Sequence, residues 1–287
     1  MPVLLLAGTT ASGKSALAIE LAERHDAVVV SADAMTVYRG LDIGTAKPSQ
    51  EEQERVKHYG IDVREPDEEF DVSAFVGIVN EAMAAHPRVI VAGGTTFWLS
   101  ALVRPLAELP ASIPEVRAKF EALENPHAAL VSVDSEAAQR LHPNDRVRVV
   151  RALEVHTITG LTQSALHQKG PRHPPLEATV AWMNHEDIYE RINRRTLQMA
   201  DEGYIAEVQS LLRDGHSREC KPLKAFAYRH IVEHCLDGLD IDEALRRTAR
   251  DTRHYAKKQR NWARNLMWES SDPDSVRATA EELFSAT

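Results

Sequence analysis

The sequence predicts an α/β protein in which a parallel sheet flanked by helices is interrupted by a mostly helical insertion. Three observations predict it. Short apolar runs alternate with helix-patterned segments over residues 1–108, the pattern of strands joined by helical crossovers. The run Gly8-Thr9-Thr10-Ala11-Ser12-Gly13-Lys14-Ser15 lies between an apolar strand and a helix and fits the phosphate-cradling pattern G-x-x-x-x-G-K-[ST]. From about 109 the strand signals cease until an apolar, β-prone segment returns near 177. The expected divisions are therefore a P-loop NTPase-like core over 1–108, a helical insertion over 109–175, and completion of the core with C-terminal helices over 176–287.

Each element follows from its residues. Val3-Leu4-Leu5-Leu6-Ala7 is a buried strand, and Ser15-Ala16-Leu17-Ala18-Ile19-Glu20-Leu21-Ala22 has helical spacing. Ala27-Val28-Val29-Val30-Ser31-Ala32-Asp33 is a second strand ending in an acid, and Tyr59–Val63 is a short third. Val72 to Ala85 is helical; Arg88–Ala92 is a buried strand that runs into Gly93-Gly94-Thr95-Thr96, placed to cap a helix over Phe97–Leu102. In the insertion, Ser112-Ile113-Pro114-Glu115 opens a helix with cap, first-turn proline and acid. Asn144-Asp145 opens another, which runs to Thr159 and stops at Gly160. Gly170-Pro171-Arg172-His173-Pro174-Pro175 reads as a rigid exposed connector. Glu177–Trp182 is a last core strand, and the remainder after about 186 reads as helices.

Composition narrows the function classes. With 287 residues, 43% hydrophobic and 27% charged, the chain can bury a full core. No stretch approaches the roughly 20 apolar residues of a membrane span. With a strand starting at Val3, no signal or transit peptide is expected, and the cytoplasm is the expected location. Cys220 and Cys235 have no metal-ligand spacing with each other and read as ordinary reduced thiols. The net charge of −9 argues mildly against a nucleic-acid partner, but a net value hides local patches.

The chemistry begins at the glycine-rich loop. Glycines let backbone N–H groups approach an anion, the helix N-terminus adds partial positive charge, Lys14 neutralises phosphate oxygens, and Ser15 can hold Mg²⁺. Gly8, Thr9, Thr10, Ala11, Ser12, Gly13, Lys14 and Ser15 are thus the expected polyphosphate site. A P-loop ATPase needs a further acid at the end of a buried strand. The strand Arg88–Ala92 ends instead in Gly-Gly-Thr, whereas the second strand ends in Asp33. Asp33 is a candidate general base or Mg²⁺ ligand.

The stretch Ser31–Pro48, with Tyr38-Arg39-Gly40-Leu41-Asp42-Ile43-Gly44-Thr45-Ala46-Lys47-Pro48 at its heart, resembles the tRNA dimethylallyltransferases, the isopentenyltransferase (IPP transferase) family of bacterial type. The resemblance extends in order through Gly93-Gly94-Thr95, His142-Pro143-Asn144-Asp145, Arg151–Val155, Tyr189–Arg195 and Thr252–Gln259, covering about residues 1–268. It implies transfer of a dimethylallyl group from dimethylallyl diphosphate to N6 of adenosine 37 beside the anticodon, with release of diphosphate. On that reading Asp33 takes the N6 proton and Thr95 contacts the amine or bridging oxygen and holds Asp33 in line. Gly8–Ser15 and Arg229 hold the diphosphate with Mg²⁺ on Ser15, and Ala34, Met35 and Thr36 border the base. The chain departs from the family at Ala34, commonly Ser; at Thr36, commonly Gln, a residue suited to an adenine edge; and at Ala227, commonly Gly.

The basic residues are unevenly placed. Between 246 and 264, Arg246, Arg247, Arg250, Arg253, Lys257, Lys258, Arg260 and Arg264 stand against the single acid Asp251. Six of them recur at spacings of four and three, one stripe along a helix. Leu245, Ala249, Thr252, Ala256, Ala263 and Leu266 form a narrow packing face beside it. Arg250, Arg253 and Lys257, with Arg117, Arg148 and Arg151 of the insertion, are the expected contacts to the tRNA anticodon stem-loop. A monomer is the default expectation. Two other classes stay open: a small-molecule kinase with Asp33 as base, and a GTPase-like switch, the latter lacking any Asn-Lys-x-Asp-like guanine reader.

Overall fold

The computed structural model describes residues 1–171 and 174–285. Five parallel strands form one sheet in the order β3-β2-β4-β1-β5: β1 Val3–Gly8, β2 Val28–Ser31, β3 His58–Tyr59, β4 Val89–Gly93 and β5 Thr179–Met183. β1 lies between β4 and β5, with Leu5 opposite both Val91 and Val180. β1, β2 and β4 are buried throughout, as expected of near-continuous apolar runs in a parallel sheet covered on both faces. Helices α1 (Lys14–His25), α2 (Gln50–Arg55), α3 (Val72–Ala85) and α4 (Thr96–Val103) belong to the first half of this unit.

The chain divides into two compact units. One is Met1–Val103 with Glu177–Thr287, the other Arg104–Leu176. The second contains α5 (Pro114–Glu121), α6 (Pro126–Val133), α7 (Ser135–Arg140), α8 (Arg146–Thr159) and α9 (Gln163–Gln168). Its core joins Leu130, Ala137, Leu141, Val149 and Leu153. Asp145 caps α8 through the Arg148 N–H, and Gly160 ends it in the left-handed conformation, the stop that a glycine at this place supplies. The first unit resumes with β5 and continues through α10 (Ile188–Asp201), α11 (Tyr204–Arg213), α12 (Arg229–Asp237), α13 (Ile241–Asn265) and α14 (Pro273–Ser285).

Three expectations differ from the structure. The third strand is only His58–Tyr59. Gly60 and Asp62 take positive φ, and the N–H groups of Asp62, Val63 and Arg64 donate to Thr36 and Val37 carbonyls instead of extending the ladder. Ser112 does not cap α5: Ile113 is the cap residue, because the Ser112 hydroxyl donates to the fully buried Glu154 at 2.6 Å. The region after 186 is not helical throughout, since 214–228 is a succession of turns. In the connector, Gly170, Pro171, Pro174 and Pro175 lie outside helices and strands; Arg172 and His173 lie outside the described residues.

Candidate functional site

The glycine-rich loop is shaped at its root. A Cβ on Gly8 would lie 2.7 Å from the Met183 carbonyl oxygen and 2.9 Å from Ser12 Oγ, so only glycine fits. The Thr9 N–H donates to that same carbonyl at 3.0 Å. Ala11 and Gly13 take φ of 62° and 87°, folding the loop onto the start of α1, where helix N–H groups favour an anion. Distant side chains brace it from behind. Arg191 Nε donates to the Ala11 carbonyl at 2.8 Å, His185 Nε2 to the Ser12 carbonyl at 3.1 Å, and Arg195 Nη2 to Thr10 Oγ1 at 2.5 Å. Gln259 Oε1 accepts from the Thr10 N–H at 2.9 Å.

A cavity opens against this loop, lined among others by Lys14, Ser15, Asp33, Thr36, Thr45 and Arg195. Burial pulls the Lys14 ammonium down to about 8, with Asp33 opposing the shift and Arg195 adding to it. Burial also lowers Arg195, again opposed by Asp33. Two crowded cations against one carboxylate make a site whose charge balance improves when a polyanion enters. Ser15 and Asp33 offer hard oxygen donors to the same space. Among the described residues no group of three His, Cys, Asp or Glu could hold a metal ion. A cation here would take its other ligands from phosphate and water, the habit of Mg²⁺.

Asp33 and Thr95 meet because β2 and β4 are adjacent. The Ala32 N–H donates to the Ala92 carbonyl at 2.8 Å and the Thr95 N–H to the Ala32 carbonyl at 3.1 Å. Asp33 Oδ1 accepts from the Met35 N–H at 2.9 Å, turning the chain immediately after the acid. Thr95 serves α4 with its carbonyl, which accepts from Trp98 and Leu99. Its hydroxyl is used elsewhere, accepting from the Ala34 N–H at 3.1 Å. Ala34 and Met35 are half-buried. Thr36 is 5% exposed; its hydroxyl pairs with Ser31 Oγ at 2.9 Å, so it forms floor rather than rim.

The segment 38–48 is held as a preformed wall. Lys47 is buried and donates to Asp62 at 2.6 Å, to the Tyr38 carbonyl at 2.9 Å and to Asp42. The Glu207 carboxylate accepts from the N–H groups of Asp42, Ile43 and Gly44 at 2.8, 2.6 and 3.1 Å, and from the Tyr228 hydroxyl at 2.7 Å. A Cβ on Gly44 would meet the Tyr204 and Tyr228 rings at 2.4 and 2.6 Å. Thr45, Ala46 and Pro48 thereby face the cavity.

The remaining expected residues are dispersed. Arg229 does not line the cavity; it is paired with Asp251, which also accepts from His230 Nε2 and Arg250. These partners hold the Asp251 carboxyl far below the usual range, against the opposing effect of burial. On α13, Leu245, Ala249, Thr252, Ala256, Ala263 and Leu266 are buried, while Lys257, Lys258 and Arg264 are exposed. Arg253 donates to Asn193, and Arg260 sits over the Tyr189 ring at 5.2 Å. In the insertion, Arg117 pairs with Glu121 and the well-exposed Arg148 with Asp145. Arg151 instead neutralises the buried Glu154 at 2.7 Å and donates to the Pro110 carbonyl, a bond of the insertion's core. Arg195, Arg191, Gln259, Tyr255 and Glu207 carry no role in the sequence reading. All but Glu207 fall in the runs Tyr189–Arg195 and Thr252–Gln259, the only signal that marked them.

A family model described as IPP transferase matches residues 36–266. The chain is 41% identical to tRNA dimethylallyltransferase 1 of Trichlorobacter lovleyi over 98% of each chain. It is 37% identical to the tRNA dimethylallyltransferase of Bacillus licheniformis over 99% of this chain and 95% of that one. Among solved structures, the tRNA delta(2)-isopentenylpyrophosphate transferase of Staphylococcus epidermidis superposes with a TM-score of 0.68 at 30% identity, covering 100% of this chain and 98% of the other. A eukaryotic dimethylallyltransferase acting on tRNA shares the fold, with a TM-score of 0.78 at 24% identity over 91% of this chain and 69% of that one.

Proposed function

Since this chain belongs to the IPP transferase family and is an enzyme that transfers a prenyl group to tRNA, we propose how its own residues do so. The donor is dimethylallyl diphosphate, bound with its diphosphate on Gly8–Ser15, Lys14 and Arg195. The acceptor is N6 of adenosine 37 in the anticodon loop, an unpaired base that is cheap to extrude. The N6–C bond forms as the allylic C–O bond breaks; the N6 proton passes to Asp33 and the electron pair leaves with diphosphate. An exocyclic amine is a poor nucleophile because its lone pair is delocalised, so a base held at the site helps. Thr95 steadies the loop that carries Asp33. Mg²⁺, where bound, would sit on Ser15 and would supply positive charge to the leaving diphosphate.

One observation carries this reading: a single cavity holds the anion loop, its two enclosed cations and Asp33, and β4 ends in Gly-Gly-Thr without an acid for nucleotide hydrolysis. We propose that the enzyme acts as a monomer, in the cytoplasm where its tRNA substrate resides. Among the described residues no helix is long and apolar enough to cross a membrane. Incubation with unmodified tRNA and labelled dimethylallyl diphosphate should place label on the anticodon-loop adenosine. Absence of label, with turnover of ATP or GTP instead, overturns the assignment and favours a kinase.

The electrostatics set a pH dependence. Lys14 keeps its proton below about pH 8 and loses it as the pH rises through that value. Donor affinity should hold its plateau at neutral pH and fall roughly tenfold by pH 9, one unit being a tenfold change in protonated fraction. Titration of the donor from pH 6.5 to 9.5 tests this, and Lys14→Met should flatten the profile. A wild-type profile as flat as the variant's removes Lys14 from the anion site.

The basic stripe of α13, with Arg117 and Arg148 of the insertion, contacts tRNA phosphates. Neutralising Arg253 and Lys257 together should weaken tRNA binding for all substrates and lower the slope of log K against log salt by about 1 per lost contact. An unchanged slope would mean that the stripe faces only solvent.

A further inference from the structure

Two side chains on α13 tie the anion loop to the loop carrying Thr95. Gln259 is 1% exposed; its Oε1 accepts from the Thr10 N–H at 2.9 Å and its Nε2 donates to the Gly94 carbonyl at 2.7 Å. A backbone N–H only donates and a carbonyl only accepts, so the amide has one orientation, and no other side chain of this length meets both needs. The fit is tight: a Cβ on Gly94 would lie 2.4 Å from Gln259 Nε2. One turn earlier, the Tyr255 hydroxyl donates to the same Gly94 carbonyl at 3.0 Å. Burial holds its proton on, far above the ordinary tyrosine range. Thr95 Oγ1 completes the chain by accepting from the Ala34 N–H beside Asp33. The donor loop and the acid are thus joined through one helix, by the Gln259 bonds to Thr10 and Gly94, the Gly94–Thr95 peptide link and the Thr95 bond to the Ala34 N–H.

We infer that Gln259 and Tyr255 are positioning residues which set the separation between the donor loop and the Thr95–Asp33 pair, the direction along which the new C–N bond forms. The inference rests on the function proposed above. Because the same helix carries the basic stripe on its outer side, tRNA held there is registered against the donor by a single rigid element. Neither residue touches the reacting atoms; both act through backbone groups of the loops that do.

The test uses the full chain with tRNA and dimethylallyl diphosphate. Gln259→Met removes both amide bonds, Gln259→Glu keeps the acceptor for Thr10 and loses the donor to Gly94, and Tyr255→Phe removes one hydroxyl from a stable aromatic. A misplacement of about 1 Å costs on the order of 10²-fold. Turnover per folded molecule should therefore fall about 10²-fold in Gln259→Met and about tenfold in Tyr255→Phe, with Gln259→Glu between them. KM for both substrates should stay within about threefold. In an Asp33→Ala background, Gln259→Met should cost less than about threefold more, because residues acting as a unit are not additive. If Gln259→Met folds poorly, Tyr255→Phe and Gln259→Glu carry the comparison. Unchanged turnover in the folded variants overturns the inference, as does a full multiplicative loss in the Asp33→Ala background. Failure of the wild type to label tRNA would instead sink the proposed function and this inference with it.

Discussion

Asp33→Ala should lower prenyl transfer by ~10²–10⁴-fold, the range of a positioned acid–base group, while tRNA affinity and thermal stability stay close to those of the parent. Among the described residues the carboxylate accepts only the Met35 N–H from its own turn, so the fold loses little when it goes. It faces Lys14 and Arg195 across the cavity, so its removal also leaves two cations less compensated. Donor affinity should therefore rise or hold as turnover collapses, separating the two kinetic parameters. Single-turnover transfer measured at saturating donor and tRNA is the appropriate readout. Turnover equal to the parent's would deprive Asp33 of its chemical role and leave it as a turn former.

Gly93→Ala should damage stability and activity together. The added Cβ would lie 2.2 Å from the Ala32 carbonyl oxygen, 2.4 Å from its carbon and 2.7 Å from its Cα. All three are backbone atoms just past the end of β2, where Ala32 is pinned by hydrogen bonds to Ala92 and Thr95, so nothing can rotate aside. Overpacking of this kind costs about 1–3 kcal/mol, and the strain falls on Ala32, whose neighbour is Asp33. Thermal unfolding should shift down by several degrees and turnover should fall beyond any loss of folded protein. Gly77→Ala is the control: it lies within α3 with nothing within 4 Å of the new Cβ, and a helix-interior glycine replaced by alanine should gain ~0.5–1 kcal/mol. Parent-like melting and turnover in Gly93→Ala would show that β2 and β4 yield more readily than backbone contact permits.

What could be read in the sequence was local. Gly8–Ser15 spells its loop in eight consecutive residues, and the strand ending at Ser31 delivers Asp33 two residues later. The stripe on α13 shows because a helix turns charge spacing into a face, and the buried alanines confirm which side packs. What could not be read is long-range and made by side chains on backbone groups. Arg195 reaches Thr10 across 185 positions, Gln259 reaches it across 249, and Glu207 reaches Asp42 across 165. No periodicity encodes such bonds. The same blindness explains Ser112 and Arg151, which look like a cap and a phosphate contact until the buried Glu154 claims both. It also explains β3, cut short by carbonyls of a segment more than twenty residues earlier.

The position of β1 between β4 and β5 bears on how the enzyme is made. The anion loop leaves the ribosome well before its rear support, the Met183 carbonyl, which emerges only after the whole insertion. Arg195 and Gln259 come later still. Domains generally fold as units during synthesis, so a nascent or stalled chain ending before 183 displays the full phosphate-binding signature and has no working phosphate site. On the proposed assignment, the order of translation would withhold diphosphate binding until the segment that carries the basic stripe of α13 is nearly complete.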